Sequence, residues 1–502
     1  MIVNPHLPLR GFFIRADAGG LFLYLNFSTL FHYLYHLSVD KTNHTIAAIA
    51  TPIGEGGISV IRISGKNSIE IADMRFKGKQ PLSNSQSHTA HYGSFSDKKG
   101  DVIDEVVITI FRMPHSYTGE DVVEVNCHGG IFITRKILEI IIASGARLAD
   151  PGEFTKRAFL NGRMDLAQAE AVADLISSHS ELSRKASLSQ LQGSLSRKMS
   201  ELRKQLLDIC SSLELEIDFS EEGIELVGKD RITNDIKTLI KQIAQLIDSY
   251  ELGKVLREGV SVVLTGRPNV GKSSLMNALL EEDRAIVTHI SGTTRDTIEE
   301  NIVIDGVLFT IIDTAGLKET IDIVEREGIR RAKKQIENAD IVVFILDAVH
   351  TSDEDIDFFK KIFSHKKNGK KTIVAINKID LLEDRTFGEL PKQLQDFPRY
   401  LISAKEGIGV NELKNGLKET SLGKSIHVLE KSFFITNLRH KGLLEGAKKS
   451  LGNSILSINK YASNEFIIID LREAINSIGE ITGEITSQEI LDNIFSHFCI
   501  GK

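Results

Sequence analysis

One stretch constrains this chain more than any other: Gly266-Arg267-Pro268-Asn269-Val270-Gly271-Lys272-Ser273, a GxxxxGKS loop between an apolar strand at residues 260–264 and a helix. Glycines at those positions let backbone N–H groups turn inward around phosphates. The helix N-terminus adds a partial positive charge, Lys272 a full one, and the Ser273 hydroxyl is a magnesium ligand. Such a loop is presented by a parallel sheet wrapped in helices. From residue 259 to about 422, short β-branched strands do alternate with helical stretches.

Three further pieces follow in order, each after an apolar strand. Asp313-Thr314-Ala315-Gly316 comes after residues 309–312. Its aspartate is placed to hold magnesium through water, and its glycine N–H to sense a γ-phosphate. Asn377-Lys378-Ile379-Asp380 comes after 373–376, and the Asp380 carboxylate suits the N1–H and exocyclic amine of guanine. Adenine lacks that donor pair, so a mismatched base leaves polar groups unpaired and guanine is selected. Ser403-Ala404-Lys405 after 400–402 completes the base pocket. The expected GTP contacts are Asn269, Val270, Gly271, Lys272, Ser273 and Ser274, with the three later motifs.

Between the phosphate loop and Asp313 lies Thr288-His289-Ile290-Ser291-Gly292-Thr293-Thr294, a polar segment at the place of a switch loop. It joins the GTP contacts, and Thr294 is the candidate second magnesium ligand; the plainer reading is a Ser/Thr-rich turn. The residue after DTAG is Leu317, so a Ras-like water-positioning glutamine is missing. Glu319 is the nearest carboxylate, either orienting water or standing as a solvated loop charge.

At 502 residues the chain needs several cores. Residues 44–161 alternate apolar runs (58–63, 102–111, 122–125) with glycine-containing turns before a helix at 132–143, which reads as an α+β domain. Residues 162–258 carry apolar side chains at helical spacing, including Leu195, Met199, Leu202, Leu206, Ile209 and Leu213; residues 423–502 return to helix. The expected architecture is multidomain: the α+β domain, one helical domain built from those two segments, and the α/β nucleotide domain (259–422) inserted between them. Residues 1–43 are aromatic-rich and poor in charge, an extension that reads as a targeting segment or a start-site error. Residues 21–37 are too short and too interrupted by polar residues for a membrane span.

A formal net charge of −7 excludes bulk electrostatic coating of nucleic acid, though not a local basic face. Cys127, Cys210 and Cys499 form no CxxC pair and leave an odd count, as expected in a reducing, cytoplasmic setting. Gly54-Glu55-Gly56-Gly57 lacks the GxGxxG spacing of a dinucleotide site.

GRPNVGKSSLMNAL, GTTRD, DTAGLKE, PGEFTKRAFLNGRMDLAQAEAVADLI and the terminal FCIGK together resemble the MnmE (TrmE) family of tRNA-modifying GTPases, from about His44 to Lys502 in unbroken order. The resemblance implies a GTPase activated by potassium-dependent dimerisation of its nucleotide domains, without an arginine finger. Asn269 matches a potassium ligand, with Thr288, Ile290 and Thr293 lining the loop over the ion, and Glu319 matches the water-positioning glutamate. It also implies a homodimer whose N-terminal domain binds a tetrahydrofolate derivative. Arg62, Glu124 and Lys502 match folate contacts, and Arg163 stands where a lysine is expected. A strand-edge ion pair is the plainer reading of Arg62 and Glu124. Cys499 matches a reactive thiol near that site or is an inert buried cysteine. An MnmG-type flavoprotein is the implied partner, in a heterotetramer acting on C5 of the wobble uridine of certain tRNAs. The alternative is a regulatory GTPase of ribosome assembly; an Era-type switch would carry a KH domain, and no GxxG follows Gly423.

Overall fold

The computed structural model describes residues 44–218, 228–283, 298–313, 334–363, 371–383, 385, 387–423, 434–460 and 463–502, and the strands β1 (Gly11–Arg15) and β2 (Phe22–Asn26). Two compact units result: Met1–Ala169 with Thr486–Lys502, and Glu170–Ile485. In the N-terminal extension β1 and β2 pair antiparallel as a separate two-stranded sheet.

The first unit is built on β3 (Ile46–Ile49), β4 (Gly56–Ser64), β5 (Phe76–Gly78), β6 (Thr89–Ser96), β7 (Val102–Phe111), β8 (Val122–Gly129) and β9 (Arg147–Leu148). Their order is β5-β6-β7-β8-β4-β3-β9, antiparallel except for the β3–β9 pair. In β7, buried Asp104, Val106, Ile108 and Ile110 alternate with more exposed neighbours, the period-two signature of a sheet covered on one face. The helices α1 (Ser68–Asp73) and α2 (Ile131–Ala143) supply that cover. On α2, Thr134, Ile137, Ile140 and Ile141 face inward against Ile61, Ile63, Val123 and Val125. Each such apolar side chain contributes roughly 1.5–3 kcal/mol by leaving water. The opposite face keeps the intervening residues, among them Arg62 and Glu124.

The stretch 423–502, read as the second part of the helical domain, divides: Thr486–Lys502 packs in this first unit. A helix over Gln488–Ser496, capped by the Ser487 hydroxyl accepting from the Ile490 N–H, buries Leu491 and Phe495. It lies against the start of α3 (Glu153–Leu160), where Lys156 pairs with Asp492 at 2.6 Å. Gly152 N–H donates to the Cys499 carbonyl at 3.4 Å. Gly501 has φ +94, and a Cβ there would meet Ala50 Cα at 3.0 Å, so only glycine lets the tail lie this close to the backbone after β3.

The second unit begins within α4 (Leu166–Ile176) and continues with α5 (Glu181–Leu191), α6 (Ser194–Asp218), α7 (Lys229–Asp248) and α8 (Tyr250–Glu258). On α6 the apolar positions read as one face are the buried ones. The inserted sheet holds β10 (Val260–Thr265), β11 (Ile298–Ile304), β12 (Val307–Asp313), β13 (Ile341–Asp347), β14 (Lys371–Asn377) and β15 (Arg399–Leu401), ordered β11-β12-β10-β13-β14-β15. Only β11 is antiparallel to its neighbour. β13 is buried at every residue, as a parallel strand covered on both faces must be. Around it pack α9 (Lys272–Asp283), α10 (Asp353–Phe363) and α11 (Val410–Leu422). Then α12 (Leu438–Asn459) and α13 (Asn464–Thr482) return to α6 and α7, so the helical layer is made from both chain segments. Among the described residues no helix is long and apolar enough to cross a membrane.

Candidate nucleotide and second polar sites

The strand β10 lies between β12 and β13, so chain order reverses at its C-terminal end, where open α/β sheets form their ligand crevice. The GxxxxGKS loop leaves β10 there. Asn269 adopts φ +64 and Gly271 φ +97, so backbone that would otherwise run extended curls instead into a cradle. Lys272 is buried at the start of α9, and its Nζ donates to the carbonyls of Gly266 (3.0 Å) and Arg267 (2.9 Å). Its ammonium therefore lies inside the loop. Ser273 Oγ donates to Asp313 Oδ2 at 3.0 Å, joining the first residue pair of the helix to the end of β12. An all-oxygen pair of hydroxyl and carboxylate fits a hard cation such as magnesium. Asn269, Ser273 and Ser274 are exposed, while Val270 is buried beneath the loop.

At the neighbouring strand end, Asn377 is almost fully buried and its carboxamide bridges two loops. Nδ2 donates to Val270 O at 2.8 Å, and Oδ1 accepts from Ala404 N–H at 2.9 Å. One side chain thus ties the phosphate loop to the 403–405 loop. Ser403 Oγ donates to Asp380 Oδ1 at 2.6 Å and fixes the carboxylate assigned to guanine. Lys405 stands exposed at the rim. The four motifs, spread over more than a hundred residues of sequence, meet because each ends an adjacent strand or follows one.

Two contacts here escaped sequence reasoning. Lys378, at φ +69, extends its ammonium to Asp347 Oδ2 at 2.7 Å. Burial alone would raise the Asp347 pKa, but Lys378 and the N–H groups of Val349 and His350 outweigh it and hold the carboxyl below its ordinary value. Arg267 pairs with Glu354 and donates to Ser352 Oγ at 3.3 Å, bracing the phosphate loop against α10. A carboxylate ending an otherwise all-apolar strand was the available signal for Asp347. Nothing in the sequence marked Arg267. Thr288, His289, Ile290, Ser291, Gly292, Thr293 and Thr294, with Thr314, Ala315, Gly316 and Glu319, lie outside the described residues.

A second polar cluster stands in the first unit. Arg62 and Glu124 are register partners on β4 and β8, with Nε at 2.9 Å and Nη2 at 2.8 Å from Oε1. Both strands are interior to the sheet, so this is not an edge pair. The guanidinium lies 5.1 Å from the Tyr117 ring centroid and 5.8 Å from that of Phe154, and donates to Gly501 O at 3.4 Å. Lys502 is close enough that burial first, and Arg62 second, lower its pKa, with Glu124 and Cys499 partly opposing. Arg62, Glu124 and Lys502 are thus brought together. Arg163 is exposed beside Gly119, where an added Cβ would meet its Cγ at 3.3 Å. Cys499 is exposed, which rules out the inert buried reading.

A family model described as the GTP-binding protein TrmE N-terminus matches residues 45–163, and one described as the MnmE helical domain matches 166–499. The tRNA modification GTPase MnmE of Acetivibrio thermocellus is 43% identical over 91% of this chain and 99% of its own length. That of Alkaliphilus oremlandii is 43% identical over the same shares. Among solved structures, the G domain of the T. maritima FeoB iron transporter is 29% identical over 32% of this chain and 98% of its own, at a TM-score of 0.25. Family models spanning both described units, with relatives matched over nearly their whole length, leave one assignment: the chain belongs to the MnmE family of tRNA modification GTPases.

Proposed function

We propose that this chain hydrolyses GTP to GDP and phosphate and, with an MnmG-type flavoprotein, modifies C5 of the wobble uridine of certain tRNAs in the cytoplasm. The single observation that carries the GTPase reading is the buried Lys272 ammonium inside the phosphate loop, one residue from the Ser273–Asp313 pair. Lys272 binds β- and γ-phosphate oxygens, Ser274 and the loop N–H groups orient them, and Asp380 with Ser403 selects guanine. Glu319 orients the water whose oxygen bonds to the γ-phosphorus as the bridging β–γ oxygen leaves with GDP.

Magnesium, when bound, offsets charge on the phosphates, and Ser273 and Thr294 would hold it, with Asp313 acting through water. Asn269, Thr288, Ile290 and Thr293 would hold potassium in the dimer of nucleotide domains. The exposed, left-handed Asn269 at the loop rim supports that assignment. Arg62, Glu124, Arg163 and Lys502 would hold a tetrahydrofolate derivative; cations beside a carboxylate and aromatic rings suit its glutamate tail and pterin ring. Cys499 lies on the same tail.

The test is GTP hydrolysis in potassium chloride and in sodium chloride at equal ionic strength. Strong potassium stimulation, abolished by Asn269→Ala, is expected. Hydrolysis indifferent to the cation would overturn the potassium assignments.

A further inference from the structure

Asp347 ends β13 and stands in register beside Asn377, the last residue of β14. The chain then turns at Lys378 through a left-handed conformation, unfavourable for a residue with a Cβ. This turn sends the lysine stem back across the strand ends, where Nζ meets Asp347 Oδ2 at 2.7 Å. Asp347 is itself held: its Oδ1 accepts the Val349 N–H at 2.9 Å, and Thr351 Oγ1 donates to its carbonyl at 2.7 Å. The side chains are 31% (Lys378) and 11% (Asp347) exposed. Ion pairs that open to water add little to folding stability, so the contact matters more for where it puts the lysine than for how tightly it holds the fold.

Asp380 follows Lys378 by two residues, its carboxylate fixed by Ser403. Between these two anchored ends the four methylenes of Lys378 form a strip of apolar surface of the kind such stems offer to flat rings. A free lysine stem would lose much of its rotamer freedom on covering a base. With Nζ already pinned, that ordering is complete before the nucleotide arrives, and pre-ordering of this kind raises affinity.

We propose that Asp347 is a positioning residue for guanine recognition, pinning the Lys378 stem as one wall of the base pocket. This rests on the GTPase reading above.

The test measures binding of fluorescent GDP to the full chain, with GTP hydrolysis kinetics, for wild type, D347N, K378A and the double variant. D347N weakens GDP binding about five- to thirtyfold, mostly through faster dissociation, and raises KM for GTP by a similar factor with kcat within about twofold. The double variant binds GDP no more weakly than K378A alone, because Asp347 acts through Lys378. Should D347N fail to fold, Lys378→Met keeps an apolar stem without the ammonium and is expected to show the same loss. Affinity unchanged in D347N, a loss that adds in full to that of K378A, or a fall confined to kcat and thermal stability would overturn the inference while leaving the GTPase reading intact. A wild-type chain that binds no guanine nucleotide would overturn both.

Discussion

The nucleotide crevice of the second unit and the Arg62–Glu124–Lys502 cluster of the first are both polar sites set against a sheet, yet they are assembled in different ways. In the crevice, each group of functional residues is contiguous in sequence and leaves the end of a strand, so adjacent strands bring motifs together as whole pieces. In the cluster, single residues come from two strand interiors and the chain terminus, and the contact between Arg62 and Gly501 spans 439 positions. A site delivered by strand ends depends on local loop geometry. A site delivered by a returning tail depends on whether that tail stays docked.

The largest expected effect tests the independence of the two. Lys272→Ala removes the ammonium from the phosphate loop and is expected to lower GTP turnover at least about a hundredfold, the scale of losing one fixed electrostatic group at a transition state. Tetrahydrofolate binding should be unchanged. Parallel loss of folate affinity in equilibrium dialysis would show that the sites are not separate.

The converse substitution is Gly501→Val, which places a branched side chain at φ +94 against the backbone after β3. The tail should leave its place, tetrahydrofolate affinity should fall about tenfold or more, and GDP affinity should hold. Full folate affinity in this variant would separate the cluster from the tail.

A smaller effect concerns a third cluster, also assembled from distant residues but inside the second unit. Glu170 on α4 accepts from Arg439 Nη2 at 2.9 Å, from Asn437 at 3.1 Å, and lies 2.7 Å from His440 Nε2. Burial opposes ionisation, but His440 and Arg439 bring the Glu170 pKa down to about 2. A depressed carboxylate stabilises the fold above its unfolded pKa near 4.5, and the contribution, on the order of 3 kcal/mol, is lost as pH falls from there toward 2. Urea denaturation of wild type and Glu170→Gln should therefore differ most near neutral pH and converge in acid. A constant gap across that window would contradict the assignment.

The smallest effect is thiol reactivity. Cys210 is buried, and burial, with Glu214 adding and Arg472 opposing, pushes its pKa up to about 11. Burial also raises that of Cys127, with Thr134 partly opposing. Cys499, the one exposed thiol, should react first with a thiol reagent in the native protein, and the other two only on unfolding. A fast second thiol would show that one of the cores opens.

How much of this was legible in the sequence follows from the same contrast. The strand before each nucleotide motif, the one-sided burial of α6 and the α+β character of the first unit all follow from hydrophobic periodicity, which is local. The ties among the motifs were not legible. Asn377 reads as a base contact, but its carboxamide joins Val270 to Ala404, a role visible only once strands are paired. Asp347 ends an apolar strand with no motif around it, so only the lysine's left-handed turn reveals its partner. The docking of Thr486–Lys502 in the first unit depends on Gly152 and Gly501 permitting close backbone approach, information that no helical period carries. The cluster around Arg62 was reached through family resemblance rather than through any pattern in the residues.

The central claim is that the crevice at the end of β10 hydrolyses a guanine nucleotide, with Lys272 acting on phosphate and Asp380 on base. It is tested most directly by comparing hydrolysis of GTP and ATP by the purified chain at equal magnesium and potassium. The account predicts GTP turnover with ATP at least about a hundredfold poorer in kcat/KM, since adenine offers the fixed Asp380 carboxylate neither the N1–H nor the exocyclic amine that guanine does. Equal turnover of the two nucleotides, or hydrolysis of neither, would contradict it.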